Sequence, residues 1–147
     1  MSFRYPKHVR FKCEFCTLCC RDTESRVRRI LLLNSEANRI SDENSIEIEM
    51  FAEKIEGFKP YVYQMRKTED GRCIFLKGNL CSIYPIRPLI CRFYPFQLRS
   101  IGKNEYIFTY TNECPGIGKG VQLKREFFEK LFRIFMKSMK ENIQICP

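Results

Sequence analysis

The sequence predicts an α+β fold of small antiparallel hairpins and loops, short helices and one long C-terminal helix. Three observations predict it. Turn signals at Glu69-Asp70-Gly71, Lys77-Gly78-Asn79 and Gly102-Lys103-Asn104 separate short stretches of strand character. From Leu123 to about Ile143, apolar residues recur at helical spacing. Four cysteines fall within residues 13–20, at a spacing no packed core requires, and four more, Cys73, Cys81, Cys91 and Cys114, each sit beside turn or proline chemistry.

A chain of 147 residues makes one domain of ordinary size, here 1–147, with its motif region over 3–120 and the closing helix over 121–143. Hydrophobic residues make up 44%, enough to fold; with tryptophan absent, the core must lean on 13 phenylalanines and 7 tyrosines. No apolar run is long enough to span a membrane, and Met1-Ser-Phe-Arg-Tyr-Pro-Lys lacks the apolar segment of a signal peptide. A cytoplasmic location is therefore expected.

Residues 1–12 interleave Arg4, Lys7, His8, Arg10 and Lys12 with Phe3, Tyr5, Val9 and Phe11. This predicts an extended segment that packs its aromatics inward. Ser25–Leu33 reads as a strand, charged at its start and buried at its end. Asn34 or Ser35 then caps a short helix through about Glu43, with Glu36 in its first turn. A second helix is predicted over about Ile46–Ile55, where Ile48, Phe51, Ala52 and Ile55 share a face, with Gly57 ending it. Tyr61–Lys67 alternates as a strand, followed by Arg72–Leu76 and Leu80–Tyr84, so Cys73 and Cys81 flank one tight turn. Pro85, Pro88 and Pro95 leave room for one turn of helix between Arg87 and Arg92, carrying Cys91. Phe96–Ser100 and Glu105–Thr111 form another hairpin, which leads straight to Cys114. The glycine-rich run to Gly120 precedes the closing helix and lacks the hydroxyl a phosphate loop requires. Its glycines are expected to approach a cysteine-held centre closely, with amides pointing at sulfur. Along the last helix, Leu123, Phe127, Leu131, Phe135 and Met139 mark one face, and Lys130, Arg133, Lys137 and Lys140 form a basic stripe. The apolar face is expected to serve core packing first.

The stretch Cys13-Glu-Phe-Cys16-Thr-Leu-Cys19-Cys20 places four thiols in eight residues, and Cys73, Cys81, Cys91 and Cys114 follow. Where thiols are kept reduced, such density reads as metal ligation before disulfide bonding. Cys146, next to the last residue, is set apart as the ninth and unliganded thiol. The Cys-x2-Cys-x2-Cys run, with a remote Cys114-Pro115, matches the local part of a ferredoxin cluster loop. One or two 4Fe–4S clusters are the expectation. Zinc, which usually takes paired Cys-x2-4-Cys knuckles, is the alternative. Adjacent side chains diverge, so Cys20 is expected to serve a different site from Cys19. One partition joins Cys13, Cys16 and Cys19 to Cys114 and leaves Cys20, Cys73, Cys81 and Cys91, with Cys20 and Cys91 exchangeable. Eight thiolates around two such centres would bring the formal charge of +9 down to about +5, which weakens any inference of nucleic-acid binding from net charge.

Taken together, Cys13-x2-Cys16-x2-Cys19-Cys20, Cys73-Ile-Phe-Leu, Cys81-Ser-Ile-Tyr84-x2-Arg87-x3-Cys91-Arg92 and Cys114 resemble the YkgJ-type cysteine-cluster family. The resemblance covers roughly residues 3–120. It implies a zinc- or iron-chelating domain whose candidate ligands are the eight cysteines. It also matches Arg87 and Arg92 to arginines beside the third cysteine block, placed to donate to sulfur or tune a cluster. A related cysteine pattern occurs in flagellin lysine methylases, but no S-adenosylmethionine-binding segment is recognisable here. The functional expectation is a metal-binding protein, with iron–sulfur ligation serving electron transfer, cluster delivery or an accessory role. A structural zinc domain mediating protein or nucleic-acid contacts is the alternative. A protein partner is expected, with the C-terminal helix as a candidate contact. Classical acid–base catalysis is disfavoured: the single histidine, His8, reads as an exposed basic residue, and no paired carboxylates occur at a plausible site.

Overall fold

The computed structural model describes residues 2–145. Cys146 therefore lies outside the described residues. The elements run in the order β1 (Ser2–Arg4), β2 (Arg10–Phe11), β3 (Leu31–Leu32), α1 (Asn34–Asn44), β4 (Ala52–Lys54), β5 (Tyr63–Met65), β6 (Leu76–Lys77) and β7 (Leu80–Cys81). They continue with α2 (Leu89–Phe93), β8 (Phe96–Gly102), β9 (Glu105–Tyr110), β10 (Ile117–Gln122) and α3 (Arg125–Ile145). The architecture is α+β, as the sequence predicts.

Two apolar clusters divide the interior. The first is built by α1 and the sheet β3-β5-β4, and centres on Leu32, Ala37, Ile40, Phe51, Ala52 and Met65. The second is aromatic. There β1 runs parallel to β9, Phe3 opposite Tyr106, and β9 returns antiparallel to β8 with Leu98 opposite Phe108. The apolar face of α3 lies on this sheet: Phe128 is fully buried and stacks on Tyr5 at 5.1 Å, while Phe132 meets Phe3 at 4.9 Å. Rings in contact bury large areas and prefer such tilted or edge geometries. Thus the helix face spends its apolar residues on the core, and the N-terminal aromatics pack inward as the spacing predicts.

Several readings differ from the structure. The helix expected over Ile46–Ile55 is replaced by a 3-10 turn at Ile48–Met50 and by β4. Helix α1 stops at Ser45, which is left-handed at φ 53 and donates its N–H back to the Ser41 carbonyl. Residues three apart eclipse in a 3-10 turn, so the same apolar spacing is met without a helix. The edge of β5 then captures Ala52–Lys54, pairing Ala52 with Met65. The strand expected over Ser25–Leu33 survives only as β3, because Asp22 binds the Arg28 N–H at 2.7 Å and Thr23 bridges Arg26, folding the segment back. Arg72–Leu76 joins the second hairpin only at Leu76. Finally, Val121 and Gln122 belong to β10, which pairs with β2, so α3 starts at Arg125.

The α1 cap is also specific. Leu33 is the N-cap residue; neither Asn34 nor Ser35 takes that position, and the Glu36 carboxylate reaches back to the Leu33 N–H at 3.0 Å.

Candidate metal centre

Between the two clusters lies a cavity of about 380 Å³, and all eight cysteines from Cys13 to Cys114 line it. Much of its remaining wall is apolar, with Met65, Leu76, Ile83, Phe93, Phe96, Phe127 and Leu131, and Glu14, Asn79, Arg87, Arg92 and Lys130 also line it. Each cysteine-bearing segment reaches the cavity by its own local device.

The first segment turns sharply because Phe15 and Thr17 both adopt left-handed backbone, at φ 58 and φ 67. Such conformations are uncommon for residues with a side chain and concentrate at functional sites. Thr17 is buried; its hydroxyl donates to the Cys16 carbonyl at 2.6 Å and accepts from Arg21 Nε at 2.9 Å. A 3-10 turn over Leu18–Cys20 follows, and Cys73 donates its N–H to the Cys20 carbonyl at 2.7 Å. The third block, Cys91, rides on α2, and Cys114 follows the β8–β9 hairpin.

Backbone amides that follow in sequence favour the thiolate at three of the cysteines: those of Phe75 and Leu76 at Cys73, of Ile83 at Cys81, and of Gly116 and Ile117 at Cys114. The N–H groups of Leu76 and Ile117 are donated to the Cys73 and Cys114 carbonyls, at 2.9 and 3.1 Å. Amides aimed at sulfur stabilise thiolate over thiol. For the glycine-rich run, the close approach is to backbone: a Cβ at Gly116 would overlap the Lys12 carbonyl, and one at Gly120 would press on Lys12. These glycines thus seat β10 against β2, next to Cys13, while the amide of Gly116 reaches the Cys114 sulfur.

Within the cavity the thiols fall into two neighbourhoods. Cys114 is raised by burial and by the charges of Cys16 and Cys13. Cys73, raised to about 11 by burial, also feels Cys81 and Cys19, and Cys91 is raised by burial and by Cys73, Cys19 and Cys81. The Cys19 charge is thus felt at Cys20, Cys73, Cys81 and Cys91, and the charges of Cys16 and Cys13 at Cys114. The expected divergence of Cys19 and Cys20 is corrected. Their sulfurs lie 3.4 Å apart, because the 3-10 turn brings both into contact. The hydrogen bond from Cys20 lowers Cys19 to about 6, helped by the Arg28 charge, and Cys20 is raised in return.

This chemistry fits a bound cation. Buried thiolates that repel one another keep their protons unless positive charge is placed among them, and a metal supplies it. Among the described residues no three His, Cys, Asp or Glu side chains converge tightly enough to hold one ion between them. The thiols are instead distributed over the cavity wall.

Arg87 and Arg92 both border the cavity. Arg87 lies 3.9 Å over the Tyr84 ring, donates to the Tyr84 carbonyl at 3.0 Å, and lowers both Cys19 and Cys81 through its charge. Arg92 donates to the Pro85 carbonyl at 3.3 Å and acts electrostatically on Glu36. Among the described residues neither donates to sulfur. The arginine that sequence reasoning missed is Arg28. Its Nε donates to the Cys19 carbonyl at 2.9 Å, its Nη2 to the Ile90 carbonyl at 3.5 Å, and its guanidinium sits 4.9 Å over Tyr94. It ties the first cysteine segment to α2. A strand reading of Ser25–Leu33 hid it, since no local pattern marks a side chain whose partners lie 9 and 62 residues away. His8 is exposed, at φ 69, and does not line the cavity.

The chain is thus an α+β fold in which eight cysteines line one cavity. The chain belongs to the CxxCxxCC family, described as "Putative zinc- or iron-chelating domain", whose model matches residues 12–115. It is similar to the uncharacterised protein MJ0939 of Methanocaldococcus jannaschii, 26% identical over 146 residues, covering 94% of this chain and 49% of that protein. It is also similar to the uncharacterised protein MJ0661 of the same organism, 28% identical over 97 residues, covering 65% of this chain and 50% of that protein. The chain thus spans about half the length of the curated relatives it matches. No solved structure matches it. Among the described residues no helix is long and apolar enough to cross a membrane.

Proposed function

We propose that this domain ligates iron–sulfur clusters through its cysteines and serves electron transfer, cluster delivery or an accessory role to a larger enzyme. The observation that carries this reading is the single cavity of about 380 Å³ lined by eight cysteines. Thiols spread around a volume of this kind suit a polynuclear centre, whose ligands stand further apart than those of one tetrahedral ion. Cys13, Cys16 and Cys114 would hold one side, and Cys19, Cys20, Cys73, Cys81 and Cys91 the other. Such a centre supplies one-electron chemistry at a potential set by charge, burial and hydrogen bonds to sulfur. The chain's own part is positional: amides of residues 75, 83 and 116 favouring the thiolates of Cys73, Cys81 and Cys114, Arg87 and Arg28 placing positive charge beside Cys19, and apolar side chains forming much of the wall.

Anaerobic purification followed by iron, zinc and acid-labile sulfide analysis, with a visible spectrum, tests this. Iron and sulfide in equal amounts are expected. Stoichiometric zinc without sulfide would overturn the iron–sulfur reading and leave the structural zinc domain in its place.

A further inference from the structure

A second cavity, of about 550 Å³, adjoins the first, and Phe93, Tyr94 and Phe96 line both. Its volume falls in the range of small-molecule sites. Arg26, Arg28, Arg29 and Arg99 face it with a single carboxylate, Glu113, which is spent on Arg26 at 3.0 Å. Three positive charges are therefore left without a counter-charge in the wall. Arg28 already gives Nε and Nη2 to carbonyls, and the guanidinium of Arg29 rests 5.0 Å over the Phe58 ring. The floor is apolar, formed by Leu89, Phe93, Pro95 and Phe135. Tyr94 lines both cavities, and the Arg26 guanidinium lies 5.9 Å from its ring, with Nη2 donating to the Leu18 and Arg21 carbonyls. Like charges gathered around a concave apolar floor repel one another unless an anion sits between them, and guanidinium forks match carboxylate and phosphate oxygens.

We propose that this arginine-lined cavity binds a small organic anion, a carboxylate or phosphate carrying an apolar body, against the wall it shares with the cysteine cavity. Arg28 is the physical link, because it faces the anion cavity while holding the backbones of Cys19 and Ile90. Neither the identity of the metal nor its stoichiometry enters this inference, and metal analysis and anion titration fail independently.

The test is calorimetric titration of the as-purified, metal-containing protein with phenyl phosphate and with benzoate, beside phenol and inorganic phosphate. One saturable site for at least one of the two aromatic anions is expected, with phenol silent and inorganic phosphate weaker for want of the apolar body. Arg29→Gln and Arg99→Gln, both on exposed side chains, should keep metal content and melting temperature while each weakens binding about fivefold. Arg133→Gln on α3 serves as the control for general basicity and should leave affinity unchanged. Absence of saturation by both aromatic anions, phenol binding as well as phenyl phosphate, or equal losses in all three variants would overturn the proposal. Which aromatic anion binds more tightly separates carboxylate from phosphate recognition.

Discussion

Glu36 accepts the backbone N–H of Leu89 at 2.5 Å, 53 residues along the chain, while its other oxygen accepts the Leu33 N–H at 3.0 Å. One carboxylate thus caps both α1 and α2, and α2 carries Cys91. Replacing Glu36 by Ala leaves two helix-terminal donors without their acceptor and should cost about 1–2 kcal/mol in urea denaturation. Glu36→Gln keeps one acceptor oxygen and should lose roughly half as much.

The same carboxyl predicts a pH dependence. Burial raises Glu36 above its ordinary 4.5, with Leu33 and Leu89 opposing less strongly. A raised carboxyl binds its proton more tightly in the folded chain than in the unfolded one. Its contribution is therefore fully present below 4.5 and is lost as pH rises through the folded value. The stability advantage of wild type over Glu36→Gln should narrow as pH is raised above 4.5, read from denaturation curves at successive pH values. A gap that widens instead would reverse the sign.

Arg28 holds the carbonyls of Cys19 and Ile90 and so fixes where two cysteine segments meet. Arg28→Gln should weaken metal retention about tenfold, the scale on which groups supporting metal ligands act. Competition with a chelator measures it. Arg28→Lys should restore little, because a lysine cannot span both carbonyls with a fork.

The neighbourhoods of the thiols make a ligand-by-ligand prediction. If two centres share the cavity, Cys16→Ser and Cys81→Ser should each lose about half the metal. Cys19→Ser should follow Cys81→Ser and not Cys16→Ser, since the Cys19 charge is felt at Cys73, Cys81 and Cys91. Joint loss from both Cys16→Ser and Cys81→Ser would mean one coupled centre. Cys146→Ser should retain full metal content, and loss there would add a ninth ligand.

Gly116 has no room for a side chain against the Lys12 carbonyl. Gly116→Ala should separate β10 from β2 beside Cys13 and Cys114, at a cost of about 1–3 kcal/mol. Thermal unfolding followed by circular dichroism would show the drop, and an unchanged melting temperature would contradict it.

Much of the fold was legible from local pattern. The Gly71 and Gly78 turns adopt positive φ, the Phe96–Gly102 and Glu105–Tyr110 hairpin closes where Gly102 and Asn104 mark it, and α2 forms between prolines. Turn chemistry is local, so a few residues decide it. Ile46–Ile55 misled because its apolar spacing suits both a helix face and a 3-10 turn followed by a strand.

By itself the sequence determined how many thiols the motif region holds and at what spacing, where the chain reverses, and that Leu123 onward carries an amphipathic face. Those properties depend on residue type and on neighbours within a few positions. Only the tertiary structure decided that all eight cysteines share one cavity, that the Cys19 and Cys20 sulfurs lie in contact, and that Arg28 and Glu36 brace the segments bearing them. Each of those facts is a contact between residues far apart in the chain. Such contacts are set by burial and by hydrogen bonds that must be satisfied once the two apolar clusters close, and no local periodicity encodes them.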